Sequence, residues 1–109
     1  MFVKETVLKL QKDVGEELSK QLMLIFISET KKLVQELEIA HEQAQLDTVI
    51  LISHSIKSSA RTYGAETLGS LCEKIESEGK NNNTSALNLL FKQLSDISEK
   101  TLLSAIKYT

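Results

Sequence analysis

Apolar residues recur every three or four positions along most of this chain, and the places where that rhythm breaks divide it into five helical segments. Val3, Val7, Leu8 and Leu10 form a short N-terminal amphipathic segment. It ends around Asp13 to Gly15, where glycine interrupts the pattern and Asp13 is placed to cap the next helix. From about Glu16 to Gln43, the positions Leu18, Leu22, Ile25, Phe26, Leu33, Leu37 and Ala40 make one stripe, which predicts the longest helix and its inward face. Leu24 and Ile27 lie off that stripe, so they are either covered by the N-terminal segment or left as a partner surface. A polar start at Leu46, Asp47 and Thr48, with Asp47 as the cap, opens a third helix that runs to Tyr63. Gly64 can close it in the left-handed backbone conformation. The fourth helix begins at Ala65 and carries Leu68, Leu71, Cys72 and Ile75 on its apolar stripe. Ser77 to Ser85 reads as a loop. Thr84 or Ser85 is placed to cap a last helix whose inner face is Leu87, Leu90, Phe91, Leu94, Ile97, Ser98, Thr101 and Ala105.

Four substantial amphipathic helices on short connections bury their stripes most economically as an antiparallel up-down four-helix bundle. The short additional N-terminal helix then packs outside it or over one end. The composition favours the same all-α class, because proline is absent and only four glycines occur in 109 residues. That length, with no internal repeat or linker, predicts a single domain over residues 1–109. Thirteen basic against fifteen acidic residues give no sequence-wide grip on nucleic acid or on an anionic membrane, so any charge logic is local. Cys72 is the only cysteine. It excludes an intramolecular disulfide, fits a reducing compartment, and on its apolar stripe reads as a packing residue. The start of the chain lacks a leader-like apolar run and no segment reaches membrane-spanning length, so a soluble, cytoplasmic protein is expected. Met1 and a compact helical ending favour one encoded on its own.

The third helix carries the candidate chemistry. At about 100° per residue, Asp47, Ile50, Leu51, Lys57, Ser58 and Arg61 fall within roughly 60° of His54. Val49, Ile52, Ile56, Ala60 and Tyr63 cluster on the opposite side, so His54 is expected to face outward. A neutral imidazole can take a phosphoryl group on a ring nitrogen and later surrender it. Lys57 and Arg61, one and two turns onward, are placed to offset the charge of the transferring group and to lower the proton affinity of His54. Ser58, four residues on, is small enough to leave access, as is Ser55 beside the histidine. Ile50 and Leu51 frame the imidazole as an apolar docking rim. His41, near the end of the long helix, reads instead as a cation favourable to the terminal carbonyls; Glu73 and Glu76 are placed either to pair with lysines on the fourth helix or to tune the site rim, and the structural reading is favoured for both.

The segment from His54 to Lys80 resembles the histidine-containing phosphotransfer (HPt) domain, whose usual signature is His-x-Leu-Lys-Gly-Ser-(Ala/Ser), then Gly-Ala, Leu, Cys, and Glu near a Gly-Lys or Gly-Arg end. The matching positions are His54, Ile56, Lys57, Ser58, Ser59, Ala60, Gly64, Ala65, Leu68, Cys72, Glu76, Gly79 and Lys80. Ser58 stands where the family most often has glycine, a form similar to small stand-alone carriers of quorum-sensing relays. The resemblance implies a monomeric phosphorelay carrier. His54 accepts a phosphoryl group from the receiver domain of a hybrid sensor kinase and passes it to the receiver of a response regulator. It also implies that the receiver brings Mg²⁺, so no metal or cofactor is expected on this chain, and no kinase activity of its own. No glycine-rich phosphate loop is present, and two histidines with one cysteine make no structural zinc site. A non-catalytic helical adaptor or kinase inhibitor binding through Ile50 and Leu51 is the alternative. A metal-binding bundle lacks the paired Glu-x-x-His ligands such sites use.

Overall fold

A computed structural model describes residues 2–109. It contains five α-helices: α1 (Lys4–Val14), α2 (Glu16–Glu42), α3 (Leu46–Tyr63), α4 (Glu66–Lys80) and α5 (Thr84–Ile106). α2 packs on α3, α3 on α4, α4 on α5 and α5 back on α2, which closes a ring of four, and α1 rests on α2 and α3. At 1.5 Å per residue the 27 residues of α2 account for the 42 Å long axis of a body only 20 Å across.

The core is built from Met23, Phe26, Val34, Leu37 and Ala40 of α2, Val49, Ile56 and Ala60 of α3, Leu68, Leu71, Cys72 and Ile75 of α4, and Leu87, Leu94 and Ala105 of α5. Three of these stripes follow the sequence pattern, but α2 is rotated relative to it. Leu18 and Ile25, read as inward, are exposed. Ser19, Met23, Thr30 and Val34 take the inner face with Phe26, Leu37 and Ala40. Small and hydroxylated residues are tolerated there because Ser19, like Ser53, Ser98 and Thr101 elsewhere in the core, donates its hydroxyl to a carbonyl three or four residues back. Of the two residues left open by the sequence, Ile27 packs against the core and Leu24 stays exposed.

The α2–α3, α3–α4 and α4–α5 turns share one device. Gly64, at φ +91°, closes α3 in the left-handed conformation, with its own N–H donating to Arg61 O and the N–H of Ala65 donating to Ala60 O. A side chain here would also collide with α1, since an added Cβ would stand 3.0 Å from Thr6 Cβ, and Val3 N donates to Gly64 O at 2.7 Å. The α2–α3 and α4–α5 turns repeat the pattern with Ala44 and Asn82 in the left-handed position.

The caps differ from those expected. Gly15 rather than Asp13 precedes α2, and Gln45 precedes α3, leaving Asp47 in the first turn where its charge meets the positive helix end. Asn83, not Thr84 or Ser85, caps α5 by accepting from Ala86 N. α4 also runs through Gly79 and Lys80, which the sequence pattern assigned to the loop.

Two interior glycines explain that extension, because both lie where α4 meets α3. A Cβ on Gly79 would stand 2.9 Å from Ile50 Cγ1, and one on Gly69 would stand 3.2 Å from Arg61 Cγ. The helix loses propensity at each glycine but gains a close approach to its neighbour. The contacts also fix the direction of the pair: moving forward along α3 from Ile50 to Arg61 moves backward along α4 from Gly79 to Gly69. Among the described residues no helix is long and apolar enough to cross a membrane.

Candidate functional site

α3 turns Val49, Ser53, Ile56 and Ala60 into the core, and His54 emerges beside that face with 58% of its side chain accessible. The imidazole leans toward α4, where its Nδ1 lies 2.8 Å from Glu76 Oε2. Glu76 is placed on the inner side of α4 with Ile75 and Gly79, and its side chain is only 8% accessible. Its other oxygen, Oε1, accepts from Lys57 Nζ at 2.7 Å, and Lys80, one turn further along α4, brings its Nζ to 3.4 Å from Oε2. A buried carboxylate therefore gathers three side chains from two helices.

The electrostatics of this cluster are set by Glu76. Lys57 first, then His54 and Lys80, hold its carboxyl down to about 2 from an ordinary 4.5, against the opposing effect of burial. Glu76 is thus ionised near neutral pH and can only accept hydrogen bonds. His54 must then donate from Nδ1, so the neutral ring carries its proton there and its free lone pair on Nε2. This is the arrangement seen where a carboxylate fixes the tautomer of a histidine that uses its other nitrogen as a ligand or nucleophile. The close α3–α4 contact at Gly79 is what lets a glutamate side chain span the seam.

The other residues singled out in the sequence divide. Lys57 is partly buried on Glu76, not extended into solvent. Arg61 donates to Glu73 Oε2 at 2.6 Å across the same seam, with both side chains substantially exposed. Ser58 and Ser55 are exposed beside His54, and Ser55 returns its hydroxyl to Leu51 O at 3.2 Å. Leu51 stands out at 68% exposed. Ile50, expected beside it on the rim, is half-buried against Gly79, because the wheel of α3 alone could not show how near α4 comes. Cys72 is fully buried, and burial pushes its thiol up to about 12. His41 lies in the last turn of α2, stacks on Phe91 with centroids 3.8 Å apart and pairs with Asn88, tying α2 to α5.

Glu76 is included in the resemblance, but its contact with His54 and Lys57 is what the helix pattern does not reveal, since along α4 alone it reads as an ion-pair partner. The available signal is its register: Leu68, Cys72, Ile75, Glu76 and Gly79 share one helical face, and an acid within an apolar stripe calls for a partner. Among the described residues no three or more His, Cys, Asp or Glu converge on a common metal position.

Residues 21–100 match the family model of the Hpt domain, and the chain belongs to that family. The matched span holds His54, Lys57, Glu76 and Lys80 and leaves α1 outside it. No curated protein and no solved structure matches the chain. Hpt domains are phosphocarriers that act by histidine phosphotransfer in phosphorelay signalling and interact with receiver domains of two-component systems.

Proposed function

We propose that this chain is a phosphorelay carrier in which His54 Nε2 accepts a phosphoryl group from a receiver-domain aspartyl phosphate and delivers it to the aspartate of a second receiver. The donor is assigned to a hybrid sensor kinase and the acceptor to a response regulator. In the first step the Nε2 lone pair bonds to phosphorus as the bond to the aspartate oxygen breaks, and the aspartate leaves as carboxylate. In the second step a carboxylate oxygen of the next receiver attacks and the P–N bond breaks. The observation that carries this reading is the hydrogen bond from His54 Nδ1 to Glu76, which supports an imidazole oriented with Nε2 as its nucleophilic atom.

Glu76 stabilises the positive charge that the ring acquires as it bonds to phosphorus. Lys57 and Lys80, held at the same carboxylate, supply cations near the incoming oxygens, and Arg61 adds to this field from two turns away. Ser58 and Ser55 leave room for the partner, and Leu51, flanked by the partly packed Ile50, provides an apolar contact for it. Mg²⁺ is assigned to the receiver, and this chain to a monomeric, cytoplasmic role without kinase activity of its own. We read the ring of helices as an up-down antiparallel four-helix bundle with α1 laid on α2 and α3.

Incubation with a phosphorylated receiver tests the proposal. Acid-labile label is expected to move onto the wild-type chain and not onto a folded His54→Gln variant. Retained labelling of that variant would contradict it.

A further inference from the structure

At the end of the bundle where the α2–α3 and α4–α5 turns meet, an open cleft of about 420 Å³ lies outside the His54–Glu76 cluster. Its apolar lining comes from Leu46, Val49 and Leu87, the latter two buried in the core. That size and an apolar base with a few polar groups suit a small organic ligand.

The polar lining is organised before any ligand arrives. His41 is stacked nearly parallel on Phe91, 5° from coplanar, and its Nε2 donates to Asn88 Oδ1 at 3.0 Å. That leaves Nδ1 as the ring nitrogen not engaged by Asn88. Side chains already held in place lose less freedom on binding. Glu42 adds a carboxylate, and among the described residues no lysine or arginine lines the cleft. Its charge and its acceptors thus favour a ligand that donates N–H and carries positive charge.

We infer that this cleft binds a small amphipathic amine, its apolar body over Leu46, Val49 and Leu87 and its ammonium donating to Glu42 and His41. The inference stands on the cleft alone and does not depend on phosphotransfer through His54.

Titration of the full chain with phenethylamine, followed by amide and side-chain NMR shifts, tests it. The expected result is saturable shifts centred on Ala44, Asn82 and Asn88, with a dissociation constant in the millimolar range suited to so small a ligand. Glu42→Gln, a substitution at an exposed position, is expected to weaken binding about tenfold. The anion 3-phenylpropionate is expected to leave these resonances in place. Shifts scattered over the surface, no saturable shifts at all, equal binding of the acid and the amine, or full affinity in Glu42→Gln would each overturn the inference.

Discussion

Glu76 accepts the Nδ1 proton of His54 at 2.8 Å across the seam between α3 and α4, and its other oxygen holds Lys57 at 2.7 Å. One buried carboxylate thus fixes a tautomer on one side and a cation on the other. Replacing it with alanine is expected to slow phosphoryl transfer by about 10- to 100-fold, the usual effect of removing the carboxylate that orients a functional histidine. Stability is expected to fall by about 1–2 kcal/mol, since Lys57 keeps a path to solvent. Glu76→Gln retains an acceptor for Nδ1–H and is expected to recover part of the transfer rate but not the ion pair. Stopped-flow transfer from a phosphorylated receiver, alongside urea unfolding, distinguishes the two effects. Equal transfer rates for wild type and Glu76→Ala would remove Glu76 from the account.

Acid sensitivity arises from the same carboxylate. Its pKa is depressed in the folded chain, from 4.5 to about 2, so its contribution to stability is complete above the ordinary value and is lost as pH falls through that window. The loss is on the order of 2 kcal/mol, below the full 1.36 kcal/mol per unit because Lys80 is exposed and solvent screens it. Urea unfolding measured above and inside the window is expected to show this decline in the wild type and a shallower one in Glu76→Gln. Parallel pH profiles would contradict it.

The seam itself makes a paired prediction. Gly79→Ala forces a Cβ to within 2.9 Å of Ile50 Cγ1, and the overpacking exceeds the gain in helix propensity. A net destabilisation of about 1 kcal/mol and slower transfer are expected. Gly69→Ala meets the flexible stem of Arg61 at 3.2 Å and is expected to be neutral or slightly stabilising. Thermal melts of both variants check the contrast.

These glycines also show how far the chain can be read without its structure. The outward face of α3 is legible because Val49, Ile56 and Ala60 mark the opposite side, and Gly15 and Gly64 mark helix ends because glycine takes positive φ without a β-carbon penalty. Gly79 reads wrongly as loop, since a glycine that admits a neighbouring helix looks the same in sequence as one that ends its own. The phase of α2 misleads for a related reason. Leu18 and Ile25 outrank Ser19 and Thr30 in hydrophobicity, but small side chains fit on the inner face, and Ser19 bonds its buried hydroxyl to its own helix. The link from Glu76 to His54 and Lys57 is hidden because it joins residues 22 and 19 positions apart. Nothing local specifies such a pairing.

Leu51 tests the docking face apart from the chemistry. At 68% exposed it contributes little to the core, so Leu51→Glu is expected to leave the melting temperature within about 0.5 kcal/mol equivalent of wild type. Binding of a cognate receiver is expected to weaken at least about tenfold. Calorimetric titration with that receiver gives the comparison, and undiminished binding would place the contact elsewhere.

The most direct measurement of the central claim is the position of the phosphoryl group on the ring. Long-range ¹H–¹⁵N and ³¹P spectra of the chain phosphorylated by a receiver are expected to place phosphorus on Nε2 of His54, with Nδ1 still protonated and bonded to Glu76. Phosphorus on Nδ1 of His54, or on His41, would contradict the account.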